Sequence, residues 1–399
     1  MDYASAPVFA STPLHPRLPE LLRGYPPTLF TQQLHDSIAL MERYSADHAI
    51  ALLDRLDVRA HLASWRSIAE LCQSLSFEPR FSLALKWLLE RLIEYGCVDV
   101  EANAQSRRYR VTENVWRPDL AGLRAAGLAI DDANSATLDL MDLAASAYPK
   151  VARGEMRGEE AFFGLEGIGL WLAYFCNDNP AYAINNWIAA VAAADRVGDR
   201  NHICIVEVGA GAASGSALLL DVLQTRGSPI ERYVITEPNA MFRRRAEREL
   251  RKRYPDLPLE FQALDINAPW QEQGVAANEF DLVYGVNVLH VADDLLFGLN
   301  EARALLKRGG WLVIGECLRP YPRQPIYPEL MFQILDSFVE VRTDPQFRPN
   351  PGFLTGAEWR GLFARANFAR IAITPEIERV REICPHFFTG AICGMVDQR

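Results

Sequence analysis

Ile203-Cys204-Ile205-Val206-Glu207-Val208-Gly209-Ala210-Gly211-Ala212-Ala213-Ser214-Gly215 is the stretch on which the fold turns. It reads as a short apolar strand that ends in an acid and runs into tiny residues. Ser216-Ala217-Leu218-Leu219-Leu220-Asp221-Val222-Leu223 follows with helical character. Strand, tiny-residue turn and helix together form the nucleotide-binding opening of a doubly wound α/β sheet. Gly209 and Gly211 lack a Cβ, so the backbone there can turn tightly and approach a ligand. The helix behind them points free N–H groups toward the same place. The dinucleotide fingerprint asks for a third glycine, where this chain has Ser214.

Working outward, four more apolar runs have strand character. Tyr233 to Thr236 ends at Glu237, an acid placed to accept hydrogen bonds from ribose hydroxyls. Phe261 to Ile266 offers Asp265, a carboxylate suited to an adenine amino group, with Ile266 beside it. Phe280 to Asn287 and Gly310 to Glu316 read as a fourth and a fifth strand. Phe368 to Thr374 and Gly390 to Val396 read as closing strands, and Leu330 to Val339 as one helix. Thr355 followed three positions later by Glu358 predicts a capped helix start.

Upstream of this core, 399 residues leave room for a second domain. Residues 1–30 are proline-rich and predict an extended arm. From 31 to 135, helical spacing is followed by Cys97 to Glu101 and Arg108 to Thr112, a small hairpin. Helix, turn, helix and two-stranded wing is a winged-helix pattern. Residues 61–115 carry seven basic and seven acidic side chains. A reader of nucleic-acid grooves wants a basic stripe, so nucleic acid is not the expected partner. The net charge of −10 points the same way and also away from anionic membranes.

Residues 136–200 predict helices that link the halves, ahead of a domain over 201–399. The seven cysteines are scattered and lack CxxC pairs, which speaks against a disulfide framework or a zinc site. No ligand cluster asks for a metal. Residues 1–14 lack a basic region followed by a long apolar run, and no segment reaches spanning length. The expectation is a cytoplasmic protein without a membrane helix.

The order of these elements resembles a class I S-adenosylmethionine-dependent methyltransferase. Asn287 to Asp294, then Leu305 to Leu312, are similar to methyltransferase domains of polyketide synthases, and the likeness extends over roughly 148–375. The departure is Ala213, where that family usually has a third glycine. The N-terminal pattern resembles the winged-helix dimerisation domain of small-molecule O-methyltransferases. The fold class expected is therefore α/β: a Rossmann-like seven-stranded methyltransferase domain preceded by a mainly helical winged-helix domain.

The resemblance implies S-adenosylmethionine as cofactor, a homodimer, and a small-molecule or carrier-protein-bound substrate. It places Glu207, Gly209, Gly211, Glu237, Asp265, Ile266 and Asn287 at the cofactor. It also makes the helices of 136–200 the lid of a substrate cavity, with Tyr148, Phe163 and Arg348 as candidates for substrate contact.

The chemistry asks for a group that takes a proton from the methyl acceptor. His290 directly follows the fourth strand, and an imidazole in ordinary surroundings titrates near ~6.5, which suits a general base. Glu316 ends the neighbouring strand. A carboxylate bonded to one imidazole nitrogen fixes the tautomer and stabilises the imidazolium. Both methyltransferase groups named above use a His and a Glu at such strand ends.

Two acceptors stay open. The winged-helix domain favours a hydroxyl or carboxyl oxygen of a polyketide-like intermediate, and that is the expectation. The core motifs favour the α-carbon of a β-ketoacyl thioester on a carrier protein. A cofactor-binding or winged-helix regulatory protein without methylation is the rival of a different kind. Against it stands the joint presence of Gly209, Gly211, Glu237, His290 and Glu316.

Overall fold

A computed structural model describes residues 17–26, 29–103, 107–198 and 200–397. The chain divides into two compact units. One comprises Thr31–Tyr174 and Arg323–Val339; the other comprises Phe175–Pro322, Glu340–Arg399 and the described part of His15–Phe30. The expected linker over 136–200 is thus split near Tyr174. Of the proline-rich arm expected over 1–30, residues 1–16, 27 and 28 lie outside the described residues. Leu18–Leu21 within it are helical rather than extended.

In the first unit, the 24-residue helix Gln32–Arg55 begins at Thr31, whose side chain accepts from the Leu34 N–H. A capping box between Ser67 and Glu70 starts the helix Ile68–Leu75, and Phe81–Glu94 follows. Three strands, β1 (Arg66–Ser67), β2 (Val98–Ala102) and β3 (Arg107–Val111), form a sheet with β3 in the middle. Arg107, Arg108 and Arg110 on β3 face Glu90, Glu70 and Asp99.

The helix Ser135–Ala152 buries Tyr148, whose hydroxyl donates to the Leu330 carbonyl at 2.8 Å. Leu330–Val339, expected as one helix, is two short ones, Glu329–Phe332 and Asp336–Val339. The break has a cause in side-chain bonding. The Asp336 N–H donates to Glu159, and its carboxylate accepts from Arg80 and Arg157, so the chain starts a new turn there.

The second unit is built on a large, mostly parallel sheet. Its strands are β4 (Ile203–Glu207), β5 (Ile230–Thr236), β6 (Leu259–Gln262), β7 (Phe280–Val286), β8 (Leu306–Arg319), β9 (Leu354–Thr355), β10 (Ala369–Thr374) and β11 (Thr389–Met395). Their spatial order is β10-β11-β8-β7-β4-β5-β6, with β9 pairing the far end of β8. β6, β5, β4, β7 and β8 run parallel, whereas β11 is antiparallel to both β8 and β10.

β7 is buried along nearly its whole length, which is why it reads as a continuous apolar run rather than an alternating one. The helix Pro180–Val197 packs an alanine-rich face on β7, β8 and β11. The approach is close: a Cβ on Gly315 would stand 2.7 Å from Ala189 Cβ. Strand order reverses between β4 and β7, and ligands of such sheets bind at the carboxyl ends of the strands flanking that point. Among the described residues, no helix is long and apolar enough to cross a membrane.

Candidate active site

At the end of β4 the chain makes two left-handed turns, at Gly209 (φ 64°) and Gly211 (φ 53°). The two glycines serve different needs. A Cβ on Gly209 would meet Val288 Cγ2 at 2.2 Å, whereas one on Gly211 would meet nothing within 4 Å. Gly211 therefore faces open space at the switch point. Ala213, where a third glycine was expected, adopts the same left-handed conformation (φ 65°) as N-cap of the helix Ser214–Thr225.

Glu237 follows β5. One carboxylate oxygen accepts from the Gly211 N–H and the other from the Asn239 N–H, each at 2.9 Å. Burial raises its pKa against these bonds. Asp265 is exposed at the end of β6, with its side chain accepting from the Asn267 N–H at 2.9 Å. The carbonyl of Ile266 accepts from the Trp270 indole. Glu207 is almost fully buried and accepts the Tyr233 hydroxyl at 2.7 Å. Burial pushes its carboxyl up to about 7.

On the other side of the switch point, Asn287 leaves β7 in the left-handed region (φ 50°). Its N–H donates to the Gly315 carbonyl at 2.8 Å, and its side-chain oxygen accepts from the Cys317 N–H at 3.2 Å. Asn287 thus ties the end of β7 to β8. A short 3₁₀ turn, Leu289–Val291, follows and carries His290. Its Nδ1 lies 2.7 Å from Glu316 Oε2 on β8. Both side chains are buried, at 4% and 0% exposure, and the Phe353 ring lies against the imidazole at 4.6 Å between centroids. A buried imidazole held by a carboxylate has its tautomer fixed, and it can accept a proton while the carboxylate stabilises the charge that forms.

The three residues expected at the substrate are differently placed. Arg348 is 2% exposed, and two of its nitrogens donate to the His290 and Ala292 carbonyls. The guanidinium expected to contact substrate thus bonds the backbone of the turn that carries His290. Tyr148 and Phe163 belong to the first unit. Tyr148 is fully buried with its hydroxyl on Leu330, and Phe163 is 43% exposed against Trp171.

Two polar residues near the turn, Asn177 and Asn186, draw no attention in the sequence, and Tyr182 reads there only as an aromatic that could line a cavity. Asn177 donates to the Ser214 carbonyl, and Asn186 donates to both Asn177 and the Ser214 hydroxyl. Tyr182 hydrogen-bonds with Ser214 and Asn287. Asn185 and Asn186, side by side in an otherwise apolar helix, were the one signal that could have found them.

The profile of a family described as methyltransferase domain matches residues 206–312, from β4 into β8. Polyketide synthase PksR of Bacillus subtilis is 26% identical over 253 residues, which is 62% of this chain and 10% of that protein. The hybrid PKS-NRPS synthetase mpsA of Macrophomina phaseolina is 33% identical over 165 residues, 41% of this chain and 4% of that protein. The matches thus span a tenth or less of these relatives' length. Among solved structures, the CurJ carbon methyltransferase superposes with a TM-score of 0.78 at 22% identity, covering 96% of both chains. The DszA carbon methyltransferase gives 0.73 at 23% identity, covering 97% of this chain and 98% of that one. The chain thus carries a methyltransferase-domain match over residues 206–312 and shares the Rossmann-like α/β fold of these methyltransferase structures.

Proposed function

We propose that this methyltransferase alkylates carbon: the α-carbon of a β-ketoacyl chain carried as a thioester on a carrier protein, with His290 as the base. The observation that carries the reading is the buried 2.7 Å contact between His290 Nδ1, on the turn after β7, and Glu316 Oε2, within β8. The preference for carbon over the oxygen acceptor expected from the sequence draws support from the relatives. The two relatives named are polyketide synthases or hybrids of them, and both solved structures are carbon methyltransferases.

The residues at the switch point fit the cofactor. Gly211 leaves its backbone facing open space, as a close-lying nucleoside requires. Glu237 and Asp265 stand at the ends of β5 and β6, where ribose hydroxyls and an adenine amino group would find carboxylates. Asn186 Oδ1 is buried without a hydrogen-bond partner among the described residues, an acceptor suited to an ammonium group. When bound, S-adenosylmethionine supplies an electrophilic methyl on a sulfonium.

Everything else falls to the chain. The α-carbon lies between a ketone and a thioester carbonyl, so its proton is acidic enough for an imidazole to remove. His290 takes that proton, and Glu316 stabilises the imidazolium through Nδ1.

The test is product identity. The enzyme is incubated with methyl-¹³C cofactor and the acetoacetyl thioester of N-acetylcysteamine, and in parallel with a hydroxylated acceptor. We expect a ¹³C methyl bonded to the α-carbon. Label found only as an O-methyl group would overturn the carbon reading.

A further inference from the structure

Arg348 is a guanidinium buried beside the proposed base, and nothing so far has given it a task. Its own backbone is held first: Arg348 and Asp344 exchange both main-chain hydrogen bonds, at 2.9 and 2.8 Å. The Asp344 carboxylate accepts from the N–H groups of Gln346 and Phe347. From this fixed loop the guanidinium reaches the turn that carries His290. One nitrogen donates to the Ala292 carbonyl at 2.8 Å and another to the His290 carbonyl. The same loop also lays Phe353 on the imidazole.

Among the described residues, three carboxylates act on Arg348. Glu316 faces the turn from β8, Asp293 and Asp294 follow it, and Arg342 pairs with Asp294 at 2.6 Å. Among them Arg348 and Glu316 are the two that are fully buried. Each also has one polar atom, Arg348 Nε and Glu316 Oε1, that is buried without a hydrogen-bond partner among the described residues. Two unlike buried charges thus meet one turn, Glu316 at the His290 ring and Arg348 at the His290 carbonyl. Burial holds Arg348 down to about 10, still well above working pH, so it stays charged.

A carboxylate alone beside a buried histidine would hold a proton on the ring, as an ion pair, and a protonated imidazole is no base. We propose that Arg348 is a positioning residue for the His290–Glu316 pair. Its two donors fix the turn that aims the imidazole at Glu316, and its buried positive charge offsets the carboxylate's pull on a ring proton. This inference rests on His290 being the base.

The test uses the full chain with the acetoacetyl N-acetylcysteamine thioester and methyl-labelled cofactor. Turnover is followed against pH in Arg348→Gln, Arg348→Lys and His290→Ala, and folding is checked by calorimetric binding of S-adenosylhomocysteine. Losing the positive charge favours the proton on the ring. The acid limb of the Arg348→Gln profile is therefore expected to move to higher pH by about one unit. Arg348→Lys keeps the charge but holds fewer carbonyls, so its limb stays in place while turnover drops roughly tenfold.

An Arg348→Gln enzyme with the wild-type profile and rate overturns the inference. Should that variant fail to fold, Arg348→Lys decides: wild-type turnover removes the grip on the turn, and an upward-shifted limb removes the charge role. If His290→Ala retains turnover, it is the base assignment that fails. If His290→Ala is inactive while the Arg348 variants behave as wild type, only the inference about Arg348 fails.

Discussion

Burial acts strongly on the Glu207 carboxyl, raising it from 4.5 to about 7, with Glu237 nearby adding to the shift. The sign of its contribution to stability follows. The folded state binds this proton more tightly than the unfolded state does, so the contribution is complete below 4.5 and is lost as pH rises through 7. Glu207→Gln keeps an acceptor for the Tyr233 hydroxyl and has no charge to bury. The variant should match the wild type near pH 4.5 and exceed it at pH 8 by on the order of 3 kcal/mol. Denaturant titration at the two pH values measures this; a constant difference between them would contradict it.

At this scale the contact of His290 with Glu316 was legible because each polar side chain stands beside an apolar run, a local signal, although β8 continues past Glu316 to Arg319. Arg348 bonds to a residue 58 positions away, and no local pattern announces such a contact.

At the scale of elements, the turn after β4 depends on two glycines for two reasons. Any side chain at Gly209 or Gly211 carries the cost of a left-handed backbone, about 1–2 kcal/mol. Gly209→Ala also drives a methyl into Val288, so it should lower stability by more than Gly211→Ala does. Gly211→Ala meets open space, and its larger effect should be on S-adenosylhomocysteine affinity. Melting curves and calorimetry on the two variants separate these effects; equal losses of affinity and stability in both would contradict the distinction.

The turn and the strands around it were readable in order, because buried parallel strands are continuous apolar runs and tiny residues punctuate them. The capping box at Thr355 and Glu358 was readable for the same local reason. The break after Phe332 was not, because its cause is a side-chain set on Glu159, Arg80 and Arg157, all more than 170 positions away.

At the scale of the whole molecule, the chain does not divide where its composition suggests. Arg323–Val339 leaves the second unit's sequence and packs within the first. Arg91 is central to that packing. Buried, it pairs with Glu42 and Glu94 and donates to the carbonyl of Pro325, 234 positions on. Trp87 and Glu329 add a second buried bond of the same kind at 3.1 Å. Arg91→Met should cost about 3–5 kcal/mol, because it strands Glu42 as a buried, unpaired charge. Arg91→Met combined with Glu42→Leu should recover most of the loss. Chemical denaturation of both variants checks this, and a double variant no more stable than the single one would speak against the pairing. A helix that reads as amphipathic shows that a face is buried, but not which distant segment covers it, and so the interleaving stayed hidden in the sequence.

The claim on which the rest stands is that the His290 imidazole, backed by Glu316, removes a proton from carbon. Exchange of the α-proton of an acetoacetyl thioester with deuterated water, followed by NMR without any cofactor, reads that step alone. The wild-type enzyme should accelerate the exchange, and His290→Ala should fall by ~10²–10⁴-fold toward the uncatalysed rate while still binding S-adenosylhomocysteine. Exchange in His290→Ala as fast as in the wild type would contradict the account.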